Sequence, residues 1–167
     1  KWFYIQPVVT YPTTEQYQVG VEFIGEKKLS SVLDLAIKIF DKLDVKPLIQ
    51  ISNIKIPELL VEIFDTLSIE DFKHINIDKF IGLKVEWLTK LVYLQYVDQI
   101  DEVMAIAPET IVEELQKMKN LCNDMTCDNT VLAPMYYAKM LYYDEVFFRC
   151  IAGNEVFARG EDIRMKT

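Results

Sequence analysis

Gln18, Gly20 and Glu22 stand at alternate positions in the stretch "EQYQVGVEFIG", Glu15 to Gly25. At the two-residue period of a β-strand they share one face. An amide carbonyl and a carboxylate on one face are fixed hydrogen-bond acceptors. A glycine between them removes a side chain and opens space against the backbone. The chemistry this offers is capture of a hydrogen-bond donor. Tyr17, Val19, Val21 and Phe23 point the other way, as a core face should. On periodicity alone, the polar face reads as a solvated outer strand face with Gly20 at a bulge.

Little else in the chain offers reactive chemistry. The single histidine, His74, lies in the polar segment "EDFKHIN" and reads as a surface or half-buried structural residue. The three cysteines, Cys122, Cys127 and Cys150, are odd in number and lack zinc spacing. They read as reduced structural thiols in a cytoplasmic protein. No metal site, cofactor or catalytic residue is expected. A net charge of −8 makes a poor general nucleic-acid binder, because phosphate contacts need Lys and Arg. No apolar run reaches membrane-spanning length, and no secretory signal pattern opens the chain.

The elements that would position these residues follow from patterning. "KWFYIQPVVTYPTTEQYQVGVEFIG" reads as two strands joined by Thr10–Thr14, with Pro12 at the turn. In "LSSVLDLAIKIFDKLD", Leu29, Val32, Leu33, Ala36, Phe40 and Leu43 share a helical face, and Ser31 with Asp34 resembles a capping box. "KPLIQISNI" is a strand with Pro47 at its start, and "KIPELLVEIFDTL" a helix with Pro57 in its first turn. Residues 69–125 read as helical, Pro108 opening a helix with Ile111, Leu115, Met118 and Leu121–Cys122 in one buried stripe. "TVLAPMYY", "LYYDEVFFRCIAG" and "NEVFARG" return to strands, with a hairpin turn at Gly153-Asn154. Strands, a helical block and strands again predict an α+β fold: an antiparallel sheet with flanking helices and a helical insertion over about 55–125. The segments near 2–10, 16–24, 141–151 and 154–159 are expected in one sheet, with the helix near 30–44 packed on it.

Two segments carry a family resemblance. "EQYQVGVEFIG" resembles the second motif of class II aminoacyl-tRNA synthetases in its histidyl-tRNA synthetase-like form, R-E-F-x-Q-x-G-x-E-x-x-G, matched by Glu15, Gln18, Gly20, Glu22 and Gly25. "LYYDEVFF" resembles the family's L-D-Y-Y-T-G-x-V-F, with Tyr142 and Tyr143 as its paired tyrosines. "IAGNEVFARG" resembles the entry to the third motif. The resemblance runs through most of the chain, and these segments fall in family order. It implies a class II synthetase-like catalytic-core fold, read here as one domain, 1–167, and as a fragment. It also implies that Gln18, Glu22, Tyr142 and Tyr143 line a histidine-type pocket with Gly20 at its floor. A free ammonium needs fixed acceptors, and Gln18 and Glu22, roughly 13 Å apart along a strand, could line the length of such a pocket.

The departures matter as much. Adenylation needs preorganised cations around the α-phosphate. The family places arginines in the second motif, just before the paired tyrosines, and in the third motif. Here Thr14 stands at the first place, Ala138 at the second, and Arg159 is the only basic residue in "EVFARG". Loss of one such donor typically costs ~3 kcal/mol of transition-state stabilisation. The chain therefore resembles the family's non-catalytic members, the regulatory subunits of ATP phosphoribosyltransferase in histidine biosynthesis. That resemblance implies the short-form catalytic subunit as partner, a homodimer within a hetero-oligomer, and histidine as effector. A divergent histidyl-tRNA synthetase or its catalytic-core fragment is the alternative.

Overall fold

Trp2–Thr10 (β1) and Thr14–Glu22 (β2) form an antiparallel hairpin, in register from Trp2↔Glu22 to Thr10↔Thr14. The structure is a computed structural model that describes residues 2–10, 14–23, 28–125, 128–138, 145–153 and 155–161. The hairpin makes a two-stranded sheet of its own, separate from a second sheet of four strands. This corrects two expectations. β1 and β2 are not in the same sheet as the C-terminal strands, and the apolar face of β2 is not a core face: Tyr17 is 76% and Val19 62% exposed. Alternation decides which side chains share a face. It does not decide what that face meets.

The four-stranded sheet has the order β4-β3-β5-β6. Its members are Leu48–Asn53 (β3), Thr130–Leu132 (β4), Val146–Ala152 (β5) and Glu155–Glu161 (β6). β5 runs antiparallel to β3 and to β6, whereas β4 runs parallel to β3. The expected α+β fold is present with a mixed sheet. β4 follows a helical crossover, the kind of connection that parallel neighbours require. "TVLAPMYY" keeps only its first three residues as strand, because the chain turns at Pro134 and Met135. Gly153 takes φ 62° in the turn from β5 to β6.

Leu29–Lys42 forms α1, which buries Leu33 and Phe40 but leaves Leu43, just past its end, 65% exposed. The Ser31–Asp34 capping box does not form there. The Ser31 N–H already bonds the Lys28 carbonyl, so Ser31 lies inside the first turn. The insertion comprises α2 (Lys55–Ile63), α3 (Ile69–Lys73), α4 (Ile77–Gly82) and α5 (Glu86–Val92). A 3-10 turn at Val97–Gln99, α6 (Ile100–Met104) and α7 (Glu109–Asn123) complete it. The stripe on α7 is buried as its spacing predicts, with Ile111, Leu115 and Met118 fully inside. A capping box does form at α3: the Ser68 N–H and hydroxyl each donate to Asp71 at 2.8 Å. His74 is an exposed residue, 3.8 Å from Glu70.

One core joins the helices to one face of the sheet. Ile49 and Ile51 of β3 and Phe148 and Cys150 of β5 meet Leu33, Phe40, Leu60, Leu88, Leu115 and others there. No helix among the described residues is long and apolar enough to cross a membrane.

Two outcomes test this packing. A Cβ placed on Gly160 would lie 2.3 Å from the buried Phe148 ring across the β5–β6 pair. Gly160→Ala should therefore destabilise the protein by roughly 1–3 kcal/mol in urea unfolding, the range for overpacking. Hydrogen bonds from Lys79 and then Ser68 lower the Asp71 pKa from 3.8 to about 2. A depressed carboxylate contributes stability above its unfolded pKa and loses it as pH falls through the folded one. Stability should fall between about pH 4 and pH 2, and Asp71→Asn should remove that part of the acid dependence.

Candidate functional site

The two faces of the central sheet differ in chemistry. β3 carries Ile49 and Ile51 toward the helices and Gln50 and Ser52 on the opposite face. On β5, Phe148 and Cys150 face the helical core while Phe147 and Arg149 share the face of Gln50. Gln50 pairs with Arg149, and Arg149 with Arg159, so a row of polar side chains crosses three strands.

Arg149 is held in place along this row. Its Nη2 donates to Gln50 Oε1 at 2.6 Å and its Nη1 to the Tyr136 hydroxyl at 2.9 Å. The guanidinium carbon also sits 3.8 Å from the centre of the Tyr136 ring. Gln50 in turn donates to Ser52 Oγ at 3.2 Å, which points its carbonyl oxygen at the arginine. Gln50 and Ser52 are both buried. Ala138 packs with Ile54 and Phe147 beside them, 4% exposed. Position 138, where the resemblance implies an arginine, is therefore apolar.

A second polar group seats the helical insertion. Asn53 Nδ2 donates to Glu114 Oε2 of α7 at 2.8 Å, and Asn53 Oδ1 accepts from the Lys55 N–H. Lys117 bridges Glu114 at 2.9 Å and Glu145 at 3.4 Å. Burial works against the Lys117 ammonium, but the hydrogen bond and charge of Glu114, helped by Glu145, outweigh it and raise its pKa. The same Glu145 accepts the Ile54 N–H through its backbone carbonyl at 3.1 Å. This clamp ties the end of β3 and the start of β5 to α7.

Gln18, Gly20 and Glu22 do share one face of β2, where their partners on β1 are Gln6, Tyr4 and Trp2. Gln18 and Glu22 are exposed. The Tyr4 ring covers Gly20, so that a Cβ at Gly20 would come within 2.0 Å of it. The space that the missing side chain leaves is filled by a neighbouring phenol. Tyr142 and Tyr143 lie outside the described residues, as does Cys127. Their flanks, Ala138 and Glu145, border the two polar groups described above. Among the described residues no group of three or more His, Cys, Asp or Glu could hold a metal ion. Cys122 is half-buried and burial pushes its thiol up to about 11, which leaves it a poor nucleophile.

Arg149, Gln50, Ser52 and Tyr136 were not among the residues that sequence reasoning singles out. The signal is present in part: "LIQISN" alternates polar with apolar, and Arg149 interrupts an apolar strand. Their mutual contact is a matter of register between segments far apart in sequence.

The fold is that of the histidyl-tRNA synthetase-like core. A crystal structure of an ATP phosphoribosyltransferase regulatory subunit/histidyl-tRNA synthetase from Bacillus halodurans matches it with a TM-score of 0.71, covering 94% of this chain and 48% of that one, at 18% identity. In sequence the chain is similar to the ATP phosphoribosyltransferase regulatory subunit of Wolinella succinogenes, 38% identical over 160 residues, 96% of this chain and 55% of the relative. The subunit of the same name from Helicobacter hepaticus is 35% identical over 160 residues, 96% of this chain and 56% of the relative. The chain spans about half the length of the curated relatives it matches. No protein-family model matches it.

Removing Asn53 tests the clamp. Asn53→Ala takes a donor from a buried carboxylate and should cost roughly 1.5–3 kcal/mol in chemical denaturation, the range for a charge-assisted hydrogen bond. Glu114→Gln should cost less, because an amide oxygen still accepts from Asn53.

Proposed function

We propose that this chain is the synthetase-like core of a non-catalytic regulatory subunit of ATP phosphoribosyltransferase, a cytoplasmic component of histidine biosynthesis. The observation that carries this is the similarity of 96% of the chain to two regulatory subunits of that name. The residue chemistry supports it. By the resemblance, Thr14 and Ala138 stand where adenylation would need arginines, and Ala138 is buried against Ile54 and Phe147. The partner is the short-form catalytic subunit, and the regulatory subunit is a homodimer within the hetero-oligomer. Histidine is the effector, and it acts through linkage, favouring the state of the complex that it binds more tightly.

In this reading Gln18 and Glu22 hold the ammonium of histidine, Tyr142 and Tyr143 supply phenols, and Gly20 floors the pocket. Contact at Gly20 requires the Tyr4 ring to move aside. Tyr4 sits 37% exposed on a hairpin strand, which leaves it a path to do so. The alternative, a divergent histidyl-tRNA synthetase, is favoured by one observation: the Bacillus halodurans structure carries both names.

The two readings separate in one assay of the full-length protein. A regulatory subunit should restore ATP phosphoribosyl transfer to a short-form catalytic subunit and show no histidine-dependent ATP–pyrophosphate exchange. Robust exchange would establish the synthetase instead. Calorimetry then tests the pocket. Glu22→Gln should weaken histidine binding by roughly 1.5–3 kcal/mol and leave the unfolding transition unchanged. Equal affinity in mutant and wild type would return this strand face to a solvated role.

A further inference from the structure

We propose that the helical insertion carries a binding site for a free α-amino acid with a small apolar side chain, in the cleft between α5 and α6 where Lys90 and Glu102 meet. The cleft has a volume of about 220 Å³. That is below the ~300–1,000 Å³ of pockets for drug-sized ligands, so the occupant is smaller than a nucleotide or a peptide. Leu94 and Val103, each 2% exposed, form its deepest lining and give it an apolar base. Tyr93, 57% exposed, stands at its mouth with a ring that can cover an aliphatic side chain.

The polar lining divides by hydrogen-bonding sense. Lys90 is a cation and a donor. Gln99 Oε1 accepts the Gln95 and Tyr96 N–H groups at 3.2 and 3.1 Å, so this amide offers its NH₂ to the cleft. Glu102 is an anion and an acceptor. Thr89 donates its hydroxyl to the Val85 carbonyl at 3.1 Å and so presents oxygen lone pairs. Two donors, one of them charged, suit an α-carboxylate. Two acceptors, one of them charged, suit an α-ammonium.

The spacing of the two charges selects a zwitterion. Lys90 Nζ and Glu102 Oε2 stand 3.8 Å apart, beyond hydrogen-bond length. An amino acid carries its own two charges on either side of one carbon, roughly 3 Å apart by standard bond lengths. Laid antiparallel against Lys90 and Glu102, it closes a ring of four alternating charges in which every neighbour attracts. A ligand of single charge would meet one partner and be repelled by the other. The site uses no residue of the proposed histidine pocket and stands whether or not the subunit reading does.

The test is calorimetric titration of the full-length protein with L-valine and, separately, L-leucine at low ionic strength. Saturable binding of either is expected. Glu102→Gln and Lys90→Met should each weaken it by about tenfold, as loss of one charge-assisted hydrogen bond would. L-Leucinamide, which lacks the carboxylate, should bind about tenfold more weakly than L-leucine for the same reason. An exposed ion pair of this length contributes little to stability, so both variants should unfold at the wild-type temperature. Absence of saturation with both amino acids, or an affinity that either substitution leaves unchanged, would overturn the site.

Discussion

The hydrogen bond between Asn53 and Glu114 joins the two halves of this molecule. Asn53 ends the central strand, Glu114 lies on the last helix of the insertion, and both are buried. A carboxylate removed from water is costly unless donors surround it. Asn53 and Lys117 are those donors, and Lys117 extends the connection to Glu145 at the start of β5. An apolar contact in the same place could be as stable but would tolerate sliding of α7. Directional bonds give the insertion one seat on the sheet.

The sheet so anchored has two distinct faces because β3 and β5 alternate two kinds of side chain. Ile49, Ile51, Phe148 and Cys150 belong to the helical core, and the burial of that face holds the layers together. Gln50, Ser52 and Arg149 have the other face, where the chain from Ala133 to Ala138 returns and supplies Tyr136. A polar row in the middle of a sheet is stable only when its members satisfy one another. Here Gln50 and Tyr136 accept from Arg149, and Gln50 donates to Ser52.

The N-terminal hairpin is organised differently. Phe3, Ile5, Tyr17 and Val19 are all more than half exposed, although their positions on β1 and β2 align them on one face. The polar face beside them carries Gln18 and Glu22, with Tyr4 closing over Gly20. The packing of Tyr4 on Gly20 fixes the register of the ribbon locally. It also makes any ligand at that face compete with a phenol of the chain itself.

Much of this was legible in the sequence, for reasons tied to short range. The α7 stripe from Ile111 to Leu121 declared a helix and its buried face because the 3.6-residue period is a local property. Gly153 declared a turn through the conformation it allows, and the motifs around Gln18 and Tyr142, through their order, pointed to the relatives that the chain is similar to. Tertiary structure alone decided what each face meets. The alternation of Tyr17, Val19 and Val21 required a shared side but could not supply a layer to cover it. The spacing of Ser31 and Asp34 matched a cap, yet the helix began three residues earlier because the Lys28 carbonyl took the first bond. Arg149 meets Gln50 at a separation of 99 residues, and Asn53 meets Glu114 at 61. Contacts of that span are set by strand register and helix seating, and no local pattern encodes either.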